Sequence, residues 1–266
     1  MGTAGPGALG PGMAALARAG QANRYLLIFF HNGKNEQTDA MWAVYQSAMT
    51  QAAARAEQVA VNITDPAEQQ IVHQYGVDRA PMPLVLAVAP NGAIMGGFPT
   101  KFEETQLLAA FGTPGMEQTM KFLQERRLVF VCVRNPTTEK NEAAMYGIQE
   151  LQADPDISGA VRLVYIDPAD PNEARFLVQL QVDPTVKVAQ TVMLAPPGSA
   201  VGKFMGGTTK TMLLSKLQAS GGCGPGGCAG GKCGPPAANP QSATAQAQQP
   251  GAVKRFFSKV AGAFSQ

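Results

Sequence analysis

Apolar positions along the chain alternate between two spacings. Residues 24–31 read Arg-Tyr-Leu-Leu-Ile-Phe-Phe-His, a continuous apolar run of strand length rich in β-forming side chains, which predicts a central strand covered on both faces. The period then changes. Thr38-Asp39 offers a helix cap, and Ala40, Val44, Ala48 and Ala52, flanked by Met41, Tyr45, Met49 and Ala53, make a broad apolar stripe at helical spacing. A short strand over 59–63, an Asp65-Pro66 turn and a helix through Ile71, Val72 and Tyr75 that closes at Gly76 follow. Leu84–Val88 is again a strand, and the turn signal Pro90-Asn91-Gly92 joins it to a strand over 93–98 as a hairpin. A last helix is expected over 103–111.

The second half repeats this plan. Its opening strand is Leu-Val-Phe-Val-Cys-Val over 128–133, and its first helix carries Ala144, Met145, Ile148 and Leu151. Val164-Tyr-Ile166 leads into Asp167-Pro168 as Val61-Asn-Ile63 leads toward Asp65-Pro66, and Val182-Asp183 answers Val77-Asp78. The hairpins match best, with Ala89-Pro-Asn-Gly-Ala-Ile-Met-Gly-Gly-Phe98 lying over Ala195-Pro-Pro-Gly-Ser-Ala-Val-Gly-Lys-Phe204. Such self-similarity predicts two copies of one domain.

Strand, helix, strand, helix, then a proline-led strand, a hairpin and a final helix resemble the thioredoxin fold. Ala80-Pro-Met-Pro-Leu-Val-Leu-Ala-Val88 looks like the strand that carries that family's cis-proline. The resemblance covers most of residues 13–220 and implies an α/β protein: two tandem thioredoxin-like domains, each a central mixed sheet flanked by helices. It places Met82-Pro83 at the cis-proline loop, Pro83 being preferred to Pro81 because it leads directly into the apolar strand. It also places the redox cysteines of the family where the first central strand ends and the long helix begins, at a helix N-terminus that lowers a thiol pKa. This chain has His31-Asn-Gly-Lys-Asn-Glu-Gln-Thr38 there, with Asn35 and Thr38 at the vacant redox position. The second repeat has Arg134-Asn-Pro-Thr-Thr-Glu139, and Val188-Ala189-Gln190 replaces Met82-Pro83-Leu84. Neither repeat has a thiol for exchange chemistry, so an enzyme is not expected.

Composition narrows the classes further. The chain of 266 residues holds 21 basic and 19 acidic side chains for a net charge of +2, with no block of one sign to track a phosphate backbone, so no nucleic acid partner is expected. No run approaches the roughly 20 apolar residues that span a bilayer. Residues 1–12 lack the basic and apolar regions of a secretory signal and are expected to be a disordered leader, with the cytoplasm as the expected compartment. Of the two histidines, His73 belongs to a helix. His31 ends a strand with no cysteine or carboxylate cluster beside it and is read as structural. Cys132 is read as a small core residue, because an apolar strand raises a thiol's pKa. Gly198-Ser-Ala-Val-Gly-Lys203 has its glycines one residue too close for a phosphate loop and aligns with a hairpin.

Cys223, Cys228 and Cys233 recur at every fifth position of a Gly-rich stretch. Three thiolates suit a soft metal such as copper(I) or zinc, although the spacing is not that of zinc knuckles and a fourth ligand is missing. A reversible disulfide and an idle linker are the other readings, and all three stay open. After a disordered Pro- and Gln-rich stretch, Val253, Phe256, Phe257, Val260 and Phe264 share one helical face, with Lys254, Arg255 and Lys259 around the rest. A helix this short needs a partner for its apolar face, which is a protein groove, peripherally an anionic membrane surface, or this protein's own domains. The expected organisation is a leader over 1–12, thioredoxin-like domains over 13–113 and 114–220, a Gly/Cys/Pro/Gln-rich linker over 221–251 and an amphipathic helix over 252–266. The expected role is a non-catalytic interaction or scaffold protein with protein partners. The alternative is a protein that handles thiols, disulfides or soft metals through its tail.

Overall fold

A computed structural model describes residues 9–219. Contacts divide them into two units at the Arg126/Arg127 junction. Unit 1 runs α1 (Pro11–Gln21), β1 (Tyr25–His31), α2 (Glu36–Ala52), β2 (Ala56–Asn62), α3 (Gln69–Tyr75), β3 (Leu84–Val88), β4 (Ile94–Pro99), α4 (Glu104–Ala109) and α5 (Pro114–Gln124). Unit 2 runs β5 (Leu128–Val133), α6 (Asn141–Ala153), β6 (Val161–Ile166), α7 (Ala174–Gln179), β7 (Gln190–Ala195), β8 (Ser199–Met205) and α8 (Lys210–Ala219).

The two sheets share one topology. Strand order is β2-β1-β3-β4 in one and β6-β5-β7-β8 in the other. Each central strand pairs in parallel with the strand that follows its long helix, and antiparallel with the first strand of the hairpin. The continuous apolar run of β1 has a double purpose. Leu26, Ile28 and Phe30 join a core with Ala15 and Ala19 of α1 and Ile71 and Val72 of α3, while Phe29 meets Tyr45 of α2 on the other face. In unit 2, Phe130 and Cys132 of β5 pack with Met145, Ile148 and Leu151 of α6 and Leu213 of α8.

Several local expectations shift. Helix α2 begins at Glu36 with Asn35 as its cap, ahead of Thr38-Asp39, because extended Asn35 accepts the Thr38 N–H through its side chain at 2.9 Å. Strand β2 begins at Ala56, where Arg24 donates to the carbonyls of Ala53 and Ala56 and so pins the chain beside β1. Arg127 repeats this at the Gly159 carbonyl before β6. The expected disordered leader overlaps α1, which starts at Pro11; there the Gly12 N–H donates to the buried carboxylate of Glu68, at 2.9 Å to Oε2. The match of Asp65-Pro66 to Asp167-Pro168 is corrected to Asp170-Pro171. Asp65 and Asp170 each cap a one-turn 3-10 segment, Pro66–Glu68 and Pro171–Glu173, that ends in a buried glutamate. The boundary expected at 113/114 differs from the division of contacts. Helix α5 stands before β5 as α1 stands before β1, opening with Pro114-Gly115-Met116 as α1 opens with Pro11-Gly12-Met13. It counts with unit 1 because Gln124 exchanges hydrogen bonds with the backbone of Ile94 in β4 and Glu117 receives the Tyr25 hydroxyl.

Candidate functional site

The end of β1 and the start of β3 lie side by side, since the register pairs Phe30 with Leu84. That places His31 beside Pro83, and the chain leaving His31 turns directly into α2. Here the structure gathers the residues singled out from the sequence in unit 1. Asn35 is the cap of α2, and Thr38 sits three residues on, buried, with a hydroxyl that has no hydrogen-bond partner among the described residues. The Met82-Pro83 peptide is cis, whereas no cis bond is found at Pro81; the other cis bond among the described residues is Pro196-Pro197 in the β7–β8 hairpin. Pro83 has no N–H, and its carbonyl accepts from Thr100 at 2.7 Å. Met82 is half-buried, and neither its N–H nor its carbonyl makes a hydrogen bond among the described residues.

The matching corner of unit 2 is closed. The register pairs Val133 with Gln190, so Ala189 holds the place of Pro83. Unlike proline, Ala189 has an N–H, which donates to the Glu139 carbonyl at 2.9 Å, while the Glu139 N–H donates to Lys187 at 2.6 Å. The segment between β5 and α6 is thereby tied to the segment leading into β7. Asn135 braces it further, its Oδ1 receiving the Thr137 and Thr138 N–H groups and its Nδ2 donating to Asp167. What remains is a polar cleft of about 400 Å³ lined by Asn135, Thr138, Pro168, Thr185 and Lys187 among others.

His31 is half-buried, and its Nδ1 accepts the Gly33 N–H at 3.3 Å. Burial holds its pKa below the ordinary 6.5, and the charge of Lys34 acts in the same direction. Cys132 is buried in β5, and desolvation pushes its thiol up to about 12. It is no nucleophile at neutral pH. His73 is exposed near the end of α3, and Gly198-Lys203 lies in the β7–β8 hairpin. Cys223, Cys228, Cys233, Val253, Phe256, Phe257, Val260 and Phe264 lie outside the described residues.

Sequence reasoning missed Trp42. This indole is the chain's one tryptophan and stays 37% exposed on α2, edge-on to Phe29 with centroids 5.1 Å apart and 5.2 Å from Tyr45. The Phe29 ring lies 6.1 Å from that of His31, and Trp42 packs on that same Phe29 ring on the α2 face of the sheet. Its signal was weak because the helical stripe runs through its neighbours Met41 and Tyr45.

No protein-family model matches the sequence, and a search of curated proteins returns no match. Among solved structures, the chain is similar to the first two thioredoxin domains of Saccharomyces cerevisiae Eps1p, with 10% identity, 77% of this chain and 92% of that one covered, and a TM-score of 0.30. It is also similar to oxidised thioredoxin O2 of Arabidopsis thaliana, at 13% identity over 41% of this chain and 85% of that one, with a TM-score of 0.31. A third is the disulphide isomerase of Xylella fastidiosa Temecula1, at 18% identity over 32% and 68%, with a TM-score of 0.28. The fold assignment rests on the topology itself. With a parallel first pair across a long helix, an antiparallel hairpin return and the order β2-β1-β3-β4 repeated as β6-β5-β7-β8, the chain carries two thioredoxin-like units.

Proposed function

We propose that this chain is a non-catalytic binding protein in which unit 1 presents the corner formed by Asn35, Thr38, Trp42 and the Met82-Pro83 turn to an extended polypeptide. The observation that carries this is the contrast between the two units. Unit 2 ties the segment leading into β7 to Glu139 through the Lys187 carbonyl and the Ala189 N–H, whereas in unit 1 the matching Pro81 carbonyl has no partner among the described residues and Pro83 has no N–H, so that the Met82-Pro83 turn is left without such a tie. Main-chain groups left open at a strand's beginning are suited to pairing with another chain, and the half-exposed indole of α2 offers apolar surface in the same unit. The same corner is unsuited to thiol exchange, since Asn35 and Thr38 supply no sulfur and Cys132 is protonated and buried. Residues 252–266 serve in this reading as a second docking element that follows a long Gly- and Pro-rich linker.

Two measurements test the proposal. Full-length protein is expected to leave insulin disulfides unreduced; reduction that disappears when Cys223, Cys228 and Cys233 are replaced by Ser would assign the chemistry to those thiols and overturn the reading. Affinity capture should then compare the full chain with a Trp42→Ala, Met82→Asp variant and with a Phe256→Asp, Phe257→Asp variant. The corner variant is expected to lose a defined set of partners, and identical partner sets for it and the parent chain would overturn the assignment of unit 1.

A further inference from the structure

The sequence contains two Asn-Gly pairs, Asn32-Gly33 and Asn91-Gly92, and the fold treats them in opposite ways. Asn91 lies in the β3–β4 turn. Its Oδ1 accepts the Ala93 N–H at 2.9 Å, and the Gly92 N–H donates to the Ala89 carbonyl at 2.8 Å. Asn32 is exposed, and its side-chain amide makes no hydrogen bond among the described residues. The Gly33 N–H next to it donates to an imidazole nitrogen, His31 Nδ1, at 3.3 Å. Gly33 has φ of +140°, a conformation that favours glycine, and a Cβ built there would meet nothing within 4 Å.

We propose that His31-Asn32-Gly33 is a self-modification site at which the imidazole acts as general base for conversion of Asn32 to aspartate or isoaspartate. The Gly33 backbone nitrogen is the nucleophile. As it bonds to Asn32 Cγ, its proton passes to His31 Nδ1; the Cγ–N bond of the side-chain amide then breaks, and the imidazolium returns the proton to the departing nitrogen, which leaves as ammonia. Water opens the resulting five-membered imide at either carbonyl, giving aspartate or its β-linked isomer. The sum is one water consumed and one ammonia released, with no oxidant or cofactor. A base must lie within hydrogen-bond reach of the proton it removes, and His31 already holds that N–H. Its lowered pKa keeps the ring neutral, hence able to accept a proton, at physiological pH. The product places a carboxylate next to His31, two residues from Lys34 and three from the Asn35 cap of α2. If unit 1 binds partners as proposed above, the reaction changes the charge of that surface; the chemistry itself stands apart from that reading.

The test is ageing of the full-length protein at neutral pH, with peptide mapping for aspartate and isoaspartate at both asparagines and a parallel sample in urea. In the folded chain Asn32 is expected to convert at least several-fold faster than Asn91, and His31→Gln is expected to remove most of that excess. In urea the advantage of Asn32 should largely vanish, because the imidazole no longer sits on the Gly33 N–H. Folded His31→Gln protein, checked by circular dichroism, that converts Asn32 at the parent rate would overturn the proposal. Should that variant not fold, the parent chain still decides: Asn32 converting no faster when folded than in urea overturns it equally.

Discussion

A histidine whose ring nitrogen already accepts a bond from its own backbone gains little from a second proton. His31 is in that position, and burial with the nearby Lys34 charge lowers its pKa below 6.5. A group depressed in the folded state adds stability that is complete above its unfolded pKa and is lost as pH falls through the folded one. The chain is therefore expected to lose stability over the window that opens as pH falls below the ordinary imidazole value of about 6.5, and the His31→Gln variant to lose less there. Urea midpoints of both proteins measured through the window check this; parallel curves would detach His31 from the acid response. The neighbouring residues explain why a site of this kind is easily overlooked. Asn32 and Gly33 are ordinary loop residues until the fold of β1 sets an imidazole against one particular N–H.

Helix α1 illustrates what a single carboxylate does for a whole element. Pro11 suits the first turn, but no side chain of its own caps the helix. The cap comes from Glu68, 56 residues later, whose buried carboxylate receives the Gly12 N–H at the positive end of the helix. Gly12 is required by the closeness of that approach, because a Cβ there would lie 2.7 Å from Glu68 Oε2 and 3.0 Å from Val61. Glu68→Ala is expected to destabilise the chain by about 1–3 kcal/mol, the usual cost of leaving a buried donor unsatisfied, and Gly12→Val by at least as much. Chemical denaturation of the two variants tests it, and an unchanged midpoint for Glu68→Ala would mean that the contact is without weight. The Asp-Pro-x-Glu turn recurs at Asp170-Pro171-Asn172-Glu173, again with its aspartate as cap and its glutamate buried, so the repeat preserves this device as well as the sheet.

At the scale of the molecule, two copies of one topology have diverged at the corner where the central strand meets its helix. Replacing Pro83 by Ala189 adds an N–H, and that donor is used to tie unit 2 shut; the proline of unit 1 cannot make the bond. The difference ties one corner and leaves the other without that bond, while the two sheets keep one strand order. All described strands and helices lie in residues 9–219, and the packing that buries them is apolar. A fragment of those residues is expected to fold cooperatively by itself, because its cores are supplied from within. Circular dichroism melting and limited proteolysis check this, with a broad, non-cooperative transition and rapid digestion as the contrary result.

The amino-acid sequence by itself determined the α/β class, the repeat and the presence of each sheet strand. Those features follow from local periodicity: period 2 and continuous apolar runs for strands, 3.6 for helices, and Pro-Asn-Gly for the hairpin. It also singled out Pro83 over Pro81 from its position ahead of an apolar strand. Tertiary structure alone decided the features that depend on residues far apart in the chain. The start of α1 depends on Glu68, the start of β2 on Arg24, and the closing of the unit 2 corner on Glu139 meeting Ala189. Asn32 differs from Asn91 for a similar reason: the same dipeptide is quiet or reactive according to whether a carbonyl or an imidazole lies against the next N–H, and no spacing along a sequence specifies which.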